Sequence, residues 1–215
     1  MIPALTPGDG GLLASVLESL LAVLPEPGHV VLPGLLPPDL VAALRDESRA
    51  RDAGGCFHAA GVGRGDALQV ERRIRGDRIA WLRPEWPAAA RYLALMEGLR
   101  LALNRECFLG LAEYEAHYAC YDAGSFYRRH VDRHAGVPDG GRGHRVMSTV
   151  CYLNEPGWPA DAGGELVLYP PDAPALRVAP EAGTLVIFRS ESIPHEVLAA
   201  GRARLSIAGW LRTRD

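Results

Sequence analysis

The stretch Tyr127-Arg-Arg-His130-Val-Asp132 sets an imidazole and a carboxylate two residues apart, just after the aromatic-rich run Glu113–Tyr121. On an extended chain, side chains i and i+2 share a face. His130 and Asp132 would then offer a ring nitrogen and a carboxylate oxygen to one point in space. That is two-thirds of the 2-His-1-carboxylate set that holds non-haem iron(II) and leaves coordination positions open. Alone the pair is a weak motif, because a chain with seven histidines produces such a spacing readily by chance. Two solvated hairpin side chains account for it equally well.

His195 is the candidate third ligand. It follows Gly183-Thr-Leu-Val-Ile-Phe188, a buried-strand pattern, and the polar turn Arg189–Pro194. Pro194 biases the residue before it toward extended geometry. A histidine opening a late strand can return across a barrel to meet the first pair; the alternative is a surface histidine beside Glu196 and Arg202. His29, His58, His117, His134 and His144 lack a comparable setting. A set of His130, Asp132 and His134 on one strand is disfavoured, since alternate positions along a strand spread too far apart. Nine positions after His195 comes Arg204, which on a strand shares a face with Ser206, Ala208 and Trp210. An arginine pointing into small and aromatic side chains needs an anionic partner, because a buried unpaired charge is costly. Its planar fork suits a carboxylate, supplied by a ligand or by an internal Asp or Glu.

The elements that must position these residues fall into two halves. Leu12–Leu24 has apolar residues at helical spacing and is stopped by Pro25 and Pro27; His29–Leu32 is a short strand. Pro37, Pro38 and Asp39 open a second helix running through Val41, Leu44 and Arg45, with Asp39 in the first turn where negative charge is favoured. Ala53–Asp66 is glycine-rich and without period, so it reads as a mobile loop. Val70–Leu82 reads as extended, and Pro87–Arg105 as the strongest helix, with Tyr92, Leu95, Met96, Leu99 and Leu103 on its apolar face. After residue 110 come eight short β-prone runs: 111–121, 126–131, 145–153, 164–169, 174–178, 184–188, 195–199 and 203–212. Eight short strands preceded by supporting helices suggest an all-β sandwich or barrel, with a double-sheet jelly roll the natural eight-stranded solution; with its helices the whole chain reads as α+β around such a core, a double-stranded β-helix. One domain over 1–215 is expected, with helical support over about 1–110 and the β core over about 111–213. The loop 133–144 is too short to be a linker.

Composition narrows the class. The chain has 215 residues, 48% hydrophobic and 23% charged, as in ordinary globular proteins. All 23 basic residues are arginine, and the net charge is −3, so a general affinity for nucleic acid is not indicated. The four cysteines contain no Cys-x-x-Cys pair, which reads as thiols in a reducing compartment rather than a disulfide frame or zinc site. The N-terminal leucine-rich run lacks a basic flank and is broken by Glu18, so neither a signal peptide nor a membrane span is expected, and the expected location is cytoplasmic.

His130-x-Asp132, then His195, then Arg204 resembles the iron(II)/2-oxoglutarate-dependent dioxygenases, and most of all their prolyl 4-hydroxylase-type branch, which includes bacterial and oxygen-sensing prolyl hydroxylases. The supporting motifs occur in matching order over about residues 70–212: Arg75-Gly-Asp77 with Ile79 and Trp81, Ala119-Cys-Tyr121, Tyr127–Asp132, Tyr152-Leu-Asn154, Gly163-Gly-Glu-Leu166, Pro194-His-Glu-Val197 and Arg204–Trp210. The resemblance implies that His130, Asp132 and His195 bind Fe(II). It implies that 2-oxoglutarate chelates the metal and that its distal carboxylate is held by Arg204 with Tyr152 and Tyr121. O2 is then the second cosubstrate, succinate and CO2 are released, and ascorbate is a supportive reductant. A carboxylate at position 132 fits hydroxylation, where an alanine would indicate halogenation. Two departures stand out. The interval from Tyr121 to His130 is one residue shorter than in oxygen-sensing relatives, and Ala208 occupies a place where some relatives carry a threonine.

On the substrate side, Arg145 opens the strand leading to Tyr152, and the resemblance places it near the metal, with Asp77 as a partner that could fix its direction. The segment Ala53–Asp66 corresponds to a loop that folds over peptide substrates in relatives, and such lids complete sites and exclude water. The expected reaction is therefore hydroxylation of prolyl residues in a protein or peptide, a translation factor of elongation-factor type being one substrate type. The basic run Arg72–Arg78 could receive an acidic segment or simply be a solvated face. The alternatives are a hydroxylase of a small molecule or free amino acid, and a non-catalytic cupin-like metal-binding module. The module leaves Arg204 and Tyr152 without a shared anion. A nucleic-acid demethylase of the same superfamily would want a second arginine where Trp210 stands.

Overall fold

The computed structural model describes residues 7–24, 26, 28–61, 71, 73–132 and 143–214. Three helices, α1 (Pro7–Val23), α2 (Pro38–Ala53) and α3 (Pro87–Cys107), accompany eleven strands among them. The strands are β1 (His29–Leu32), β2 (His58–Ala59), β3 (Arg78–Trp81), β4 (Leu111–Tyr121), β5 (Tyr127–His130) and β6 (Arg145–Tyr152), followed by β7 (Leu166–Leu168), β8 (Leu176–Val178), β9 (Leu185–Arg189), β10 (His195–Val197) and β11 (Arg204–Thr213). They form two antiparallel sheets, one of seven strands in the order β1-β9-β6-β11-β4-β3-β2 and one of four in the order β5-β10-β7-β8.

The period-2 alternation of the large sheet separates two cores. On its outer face Tyr118, Cys151, Ile187, Ile207 and Leu211 meet Val16 and Leu20 of α1, Leu40 and Leu44 of α2, and Tyr92, Met96, Leu99 and Leu103 of α3. On its inner face Ala119, Tyr121, Tyr152, Val186 and Phe188 meet Leu166, Leu168, Val178 and Val197 of the small sheet. The helices thus cover one side and leave the other to face the small sheet across the site.

α3 starts with Pro87 at its first position, where the missing N–H costs nothing. Its orphan donors are satisfied from α2: the Glu47 carboxylate accepts from the Ala88 and Ala89 amides, each at 2.9 Å, and from the Tyr118 hydroxyl at 2.8 Å. At the other end Asn104 brackets Leu111, accepting its N–H and donating to its carbonyl at 2.7 Å each, which fixes where β4 begins. Gly209 is required by close approach. A Cβ there would collide with the Tyr114 hydroxyl, which passes beneath it to Thr149 (2.8 Å) and Tyr92 (3.3 Å).

All eight strands expected after residue 110 form. α1 begins five residues before the apolar period does, α3 runs two residues past Arg105, and Pro25 and Pro27 lie outside the described residues. Two expectations are corrected. The segment read as a mobile glycine-rich loop contains β2, because His58 and Ala59 pair with the sheet edge at β3; residues 62–66 lie outside the described residues. The span read as extended from Val70 to Leu82 is a strand only over Arg78–Trp81. Residues 73 and 74 form a turn and Arg75 makes an isolated bridge to Tyr127, while Val70 and Arg72 lie outside the described residues. So do residues 133–142, and His134 with them. No helix among the described residues is long and apolar enough to cross a membrane.

Candidate active site

His130 ends β5 and His195 opens β10, and antiparallel pairing of those strands sets the two residues directly opposite one another. Asp132 lies in the bend just beyond β5 rather than on the strand itself. The ligand atoms of all three residues fall within 4.8 Å of one another. The Nε2 atoms of His130 and His195 lie 3.6 and 3.7 Å from the Asp132 carboxylate oxygens. Each Nδ1 faces a main-chain carbonyl, Arg128 O at 2.8 Å for His130 and Ile193 O at 3.3 Å for His195. A carbonyl only accepts, so Nδ1 carries the proton and Nε2 is left as a bare lone pair, the tautomer a metal ligand requires.

Electrostatics supports the same protonation states. Burial drives the His195 imidazole down to about 4, so it is neutral near pH 7. Burial alone would raise the Asp132 carboxyl, but His195, His130 and Arg145 outweigh it and hold it well below the usual carboxylate range. A neutral His195, a His130 whose Nδ1 faces a main-chain carbonyl, and one carboxylate, all aimed at one point, form a set suited to a divalent cation.

Neighbouring side chains hold the set still. Ser148 donates to Asp132 Oδ2 at 2.6 Å and in turn accepts from Ser190 at 2.8 Å. The Tyr127 ring stacks on His130 with centroids 3.6 Å apart, and the Arg75 guanidinium lies 4.8 Å from the Tyr127 ring centre. Arg75 is itself clamped by Asp77 through two bonds of 2.6 and 2.9 Å. This corrects the expected pairing of Asp77 with Arg145. Both arginines can face the cavity, but Asp77 follows Arg75 by two residues and takes the nearer fork, and Arg145 turns instead to Glu115 at 3.1 Å. Arg145 also stacks on Trp210 at 3.6 Å.

A second cluster sits where β11 begins. Arg204 is paired in register with Tyr121 on β4, and Ser206 with Tyr152 on β6. The guanidinium lies 4.7 Å from the Tyr121 ring and 5.2 Å from the Tyr152 ring. Only 2% of Arg204 is exposed, yet among the described residues it forms no ion pair, and neither its Nε and Nη1 nor the Tyr152 hydroxyl has a hydrogen-bond partner there. Gly164 permits this placement, since a side chain there would crowd the Arg204 stem and Ala200. Burial raises both phenols, so they remain protonated donors. A buried cation with phenol donors beside it and no carboxylate partner among the described residues has the chemistry to hold a ligand carboxylate.

One cavity of about 470 Å³ joins the two clusters, lined by His130, Asp132 and His195 at one part and by Tyr121 and Arg204 at another. Arg145 and Trp210 line it too, as do His58, Ala59 and Gly61 from the segment expected to form a lid. Sequence reasoning gave no site role to four contributors: Ser148, Tyr127, Trp210 and His117. For Ser148 a signal existed, since a lone serine four residues before Tyr152 lies on the same strand face. His117, set aside in the sequence, is 1% exposed on β4 and lines this cavity.

The 2OG-Fe(II) oxygenase superfamily matches residues 116–212. A Pseudomonas putida prolyl-4-hydroxylase of known crystal structure is 44% identical, over 94% of this chain and 100% of that one, with a TM-score of 0.79. A Trichoplax adhaerens prolyl hydroxylase, solved with a peptide of the hypoxia-inducible factor oxygen degradation domain, has a TM-score of 0.80 over 97% of this chain and 94% of its own, at 24% identity. By sequence, a prolyl 3,4-dihydroxylase of Ostreococcus tauri is 33% identical over 87 residues, 34% of this chain, and the hypoxia-inducible factor prolyl hydroxylase of Caenorhabditis elegans 38% over 89 residues, 40% of this chain. The aligned stretch spans only 17% and 12% of those two proteins.

Proposed function

This chain belongs to the 2OG-Fe(II) oxygenase superfamily, and from that membership we propose that it hydroxylates prolyl residues of a protein or peptide substrate. The cofactor is iron(II), and 2-oxoglutarate and O2 are the cosubstrates; ascorbate is expected to support turnover. His130, Asp132 and His195 would hold the iron. Arg204 would take the distal carboxylate of 2-oxoglutarate, with Tyr152 and Tyr121 donating phenol hydrogen bonds. When bound, metal and cosubstrate together supply the oxidising chemistry, releasing succinate and CO2 as one oxygen atom is added to the substrate.

The observation that carries this reading is Arg204, buried and unpaired in the same cavity as the two-histidine, one-carboxylate set. A metal set alone fits a non-catalytic cupin-like module equally well, but such a module has no use for a carboxylate receptor. The other residues have assignable work. Ser148 and Ser190 keep the Asp132 carboxylate aimed, and Tyr127, held by Arg75 and Asp77, fixes the His130 ring. Arg145 and Trp210 form the substrate side of the wall. Proline in a peptide supports the choice of substrate class: it is the residue named for the full-length relative at 44% identity, and a Trichoplax relative of like fold holds a peptide. A translation factor of elongation-factor type is the first protein substrate to test.

The test is incubation of host lysate with protein, iron(II), 2-oxoglutarate, ascorbate and air, followed by peptide mass spectrometry. Prolyl peptides gaining the mass of one oxygen atom are expected with wild type and absent with Asp132→Ala. Succinate formation with oxygen added only to a free amino acid or other small molecule would replace the prolyl reading. No succinate under any substrate condition would remove the enzyme reading altogether.

A further inference from the structure

We propose that His117 is a specificity-determining residue whose Nε2 accepts a hydrogen bond from a main-chain N–H of the substrate segment flanking the hydroxylated proline. The proposal rests on the prolyl reading above and adds a residue to it. His117 lies on the inner face of β4, two and four residues from Ala119 and Tyr121, and it lines the same cavity. Across the sheet it pairs with Ala208, four residues along β11 from Arg204, or about 13 Å at strand spacing. It is therefore well away from the carboxylate receptor. Its nearer neighbours belong to the metal end. Trp210 packs against it at 5.5 Å and pairs in register with Ser148, the residue bonded to Asp132.

The imidazole has one committed nitrogen and one free. Nδ1 lies 3.1 Å from the Tyr118 carbonyl, which can only accept, so Nδ1 carries the proton and Nε2 is an acceptor. Nε2 has no hydrogen bond among the described residues. It is also not sealed from the cavity, unlike the Trp210 indole N–H, which is both enclosed and unpaired. Burial, reinforced by Arg75, drives this imidazole down to about 3, so it stays a neutral acceptor at working pH and offers an anion nothing. Trp81, edge-on at 5.2 Å, and Trp210 wall it on two sides, so the acceptor stands in a slot between two aromatic rings, with Arg145 stacked on Trp210. Such a slot selects a ligand with one neutral donor, because leaving that donor or the acceptor unpaired on binding is penalised. A prolyl residue has no main-chain N–H. The donor must therefore come from a neighbouring residue, and the contact discriminates against a second proline at that neighbouring position, which would lack the N–H.

The test uses the tripeptide amide acetyl-Ala-Pro-Ala-NHCH3 and versions methylated at one amide nitrogen at a time. Binding to the full chain with iron(II) and 2-oxoglutarate, under anaerobic conditions, is followed by tryptophan fluorescence, since Trp81 and Trp210 flank the site. For wild type, methylation at one position is expected to weaken binding about 5- to 10-fold, the worth of a neutral hydrogen bond. In His117→Met the parent peptide should weaken by the same factor and that methylation should then have no further effect. His117→Gln, which keeps an acceptor, should retain part of the discrimination, and thermal melts establish that both variants are folded. The proposal is overturned if His117→Met weakens parent and methylated peptides alike, which would mark His117 as a support for Trp210. It is equally overturned if wild type ignores every methylation or binds none of the peptides. A control in which alanine replaces proline separates the two readings: if it binds as well as the parent with the same His117-dependent loss on methylation, the acceptor role stands and the prolyl preference fails.

Discussion

Replacing Arg204 by Met separates the carboxylate receptor from the metal set, and the structure gives the size of the effect. The guanidinium is 2% exposed and has no carboxylate partner among the described residues, so without cosubstrate it is a buried charge compensated only by the Tyr121 and Tyr152 rings. Exchanging such a charge for a packed hydrophobe is commonly neutral or stabilising. The ligand-free variant should therefore melt no lower than ligand-free wild type. With cosubstrate the sign reverses. Two charge-assisted hydrogen bonds at about 1.5–3 kcal/mol each amount to about 3–6 kcal/mol, a rise in the 2-oxoglutarate Kd of roughly 10²- to 10⁴-fold. At a concentration 100 times its Kd a ligand stabilises the folded state by about 2.7 kcal/mol. For a chain of this size that is a rise in Tm of about 5–11 °C. Thermal melts with and without 2-oxoglutarate should show that rise in wild type and at most about 1–2 °C in the variant at the same concentration, and the iron requirement for succinate formation should change little. Arg204→Lys should recover only part of the affinity, since a point charge lacks the planar fork. An undiminished 2-oxoglutarate shift in Arg204→Met, or an equal rise in the iron and 2-oxoglutarate requirements, would refute the assignment.

Ser148→Ala removes the 2.6 Å bond that aims Asp132 and should weaken iron binding about 10- to 100-fold with the fold intact, read by metal titration. Gly209→Ala forces a methyl group into the Tyr114 hydroxyl and should cost about 1–3 kcal/mol, several degrees of Tm by calorimetry. The acid limb of stability should carry the signature of His117, whose imidazole is lowered to about 3 in the folded chain. Between pH 6.5 and 3 the unfolded chain takes up a proton that the folded chain refuses. Its contribution is therefore complete above about pH 6.5 and is lost as pH falls, by up to about 1.4 kcal/mol per pH unit. Urea midpoints measured from pH 7 to 4 should fall less steeply in His117→Met than in wild type, and parallel curves would contradict the burial of that imidazole.

Local pattern was enough to foresee much of this protein, because strand and helix periods are properties of short segments. The β-prone runs 145–153 and 203–212 foretold β6 and β11 within a residue or two, and the helical spacing after Pro87 foretold α3. The residues proposed for the chemistry were legible for a related reason: His130, Asp132, His195 and Arg204 are of types that are costly to bury without a purpose, and their order along the chain resembled a known arrangement. What the sequence could not decide was who meets whom. Asp77 had two arginines within reach of its part of the sheet and went to Arg75, a choice fixed by the turn at residues 73–74 and the bridge from Arg75 to Tyr127. Ser148 became the partner of Asp132, and His117 became a cavity wall, only because β6 and β4 flank β11 and turn their inner faces toward the small sheet. Side-chain type and spacing are written locally. The register between strands sixty or more residues apart, which turned a histidine-aspartate pair into a metal set and left Arg204 unpaired beside it, was decided by the tertiary structure alone.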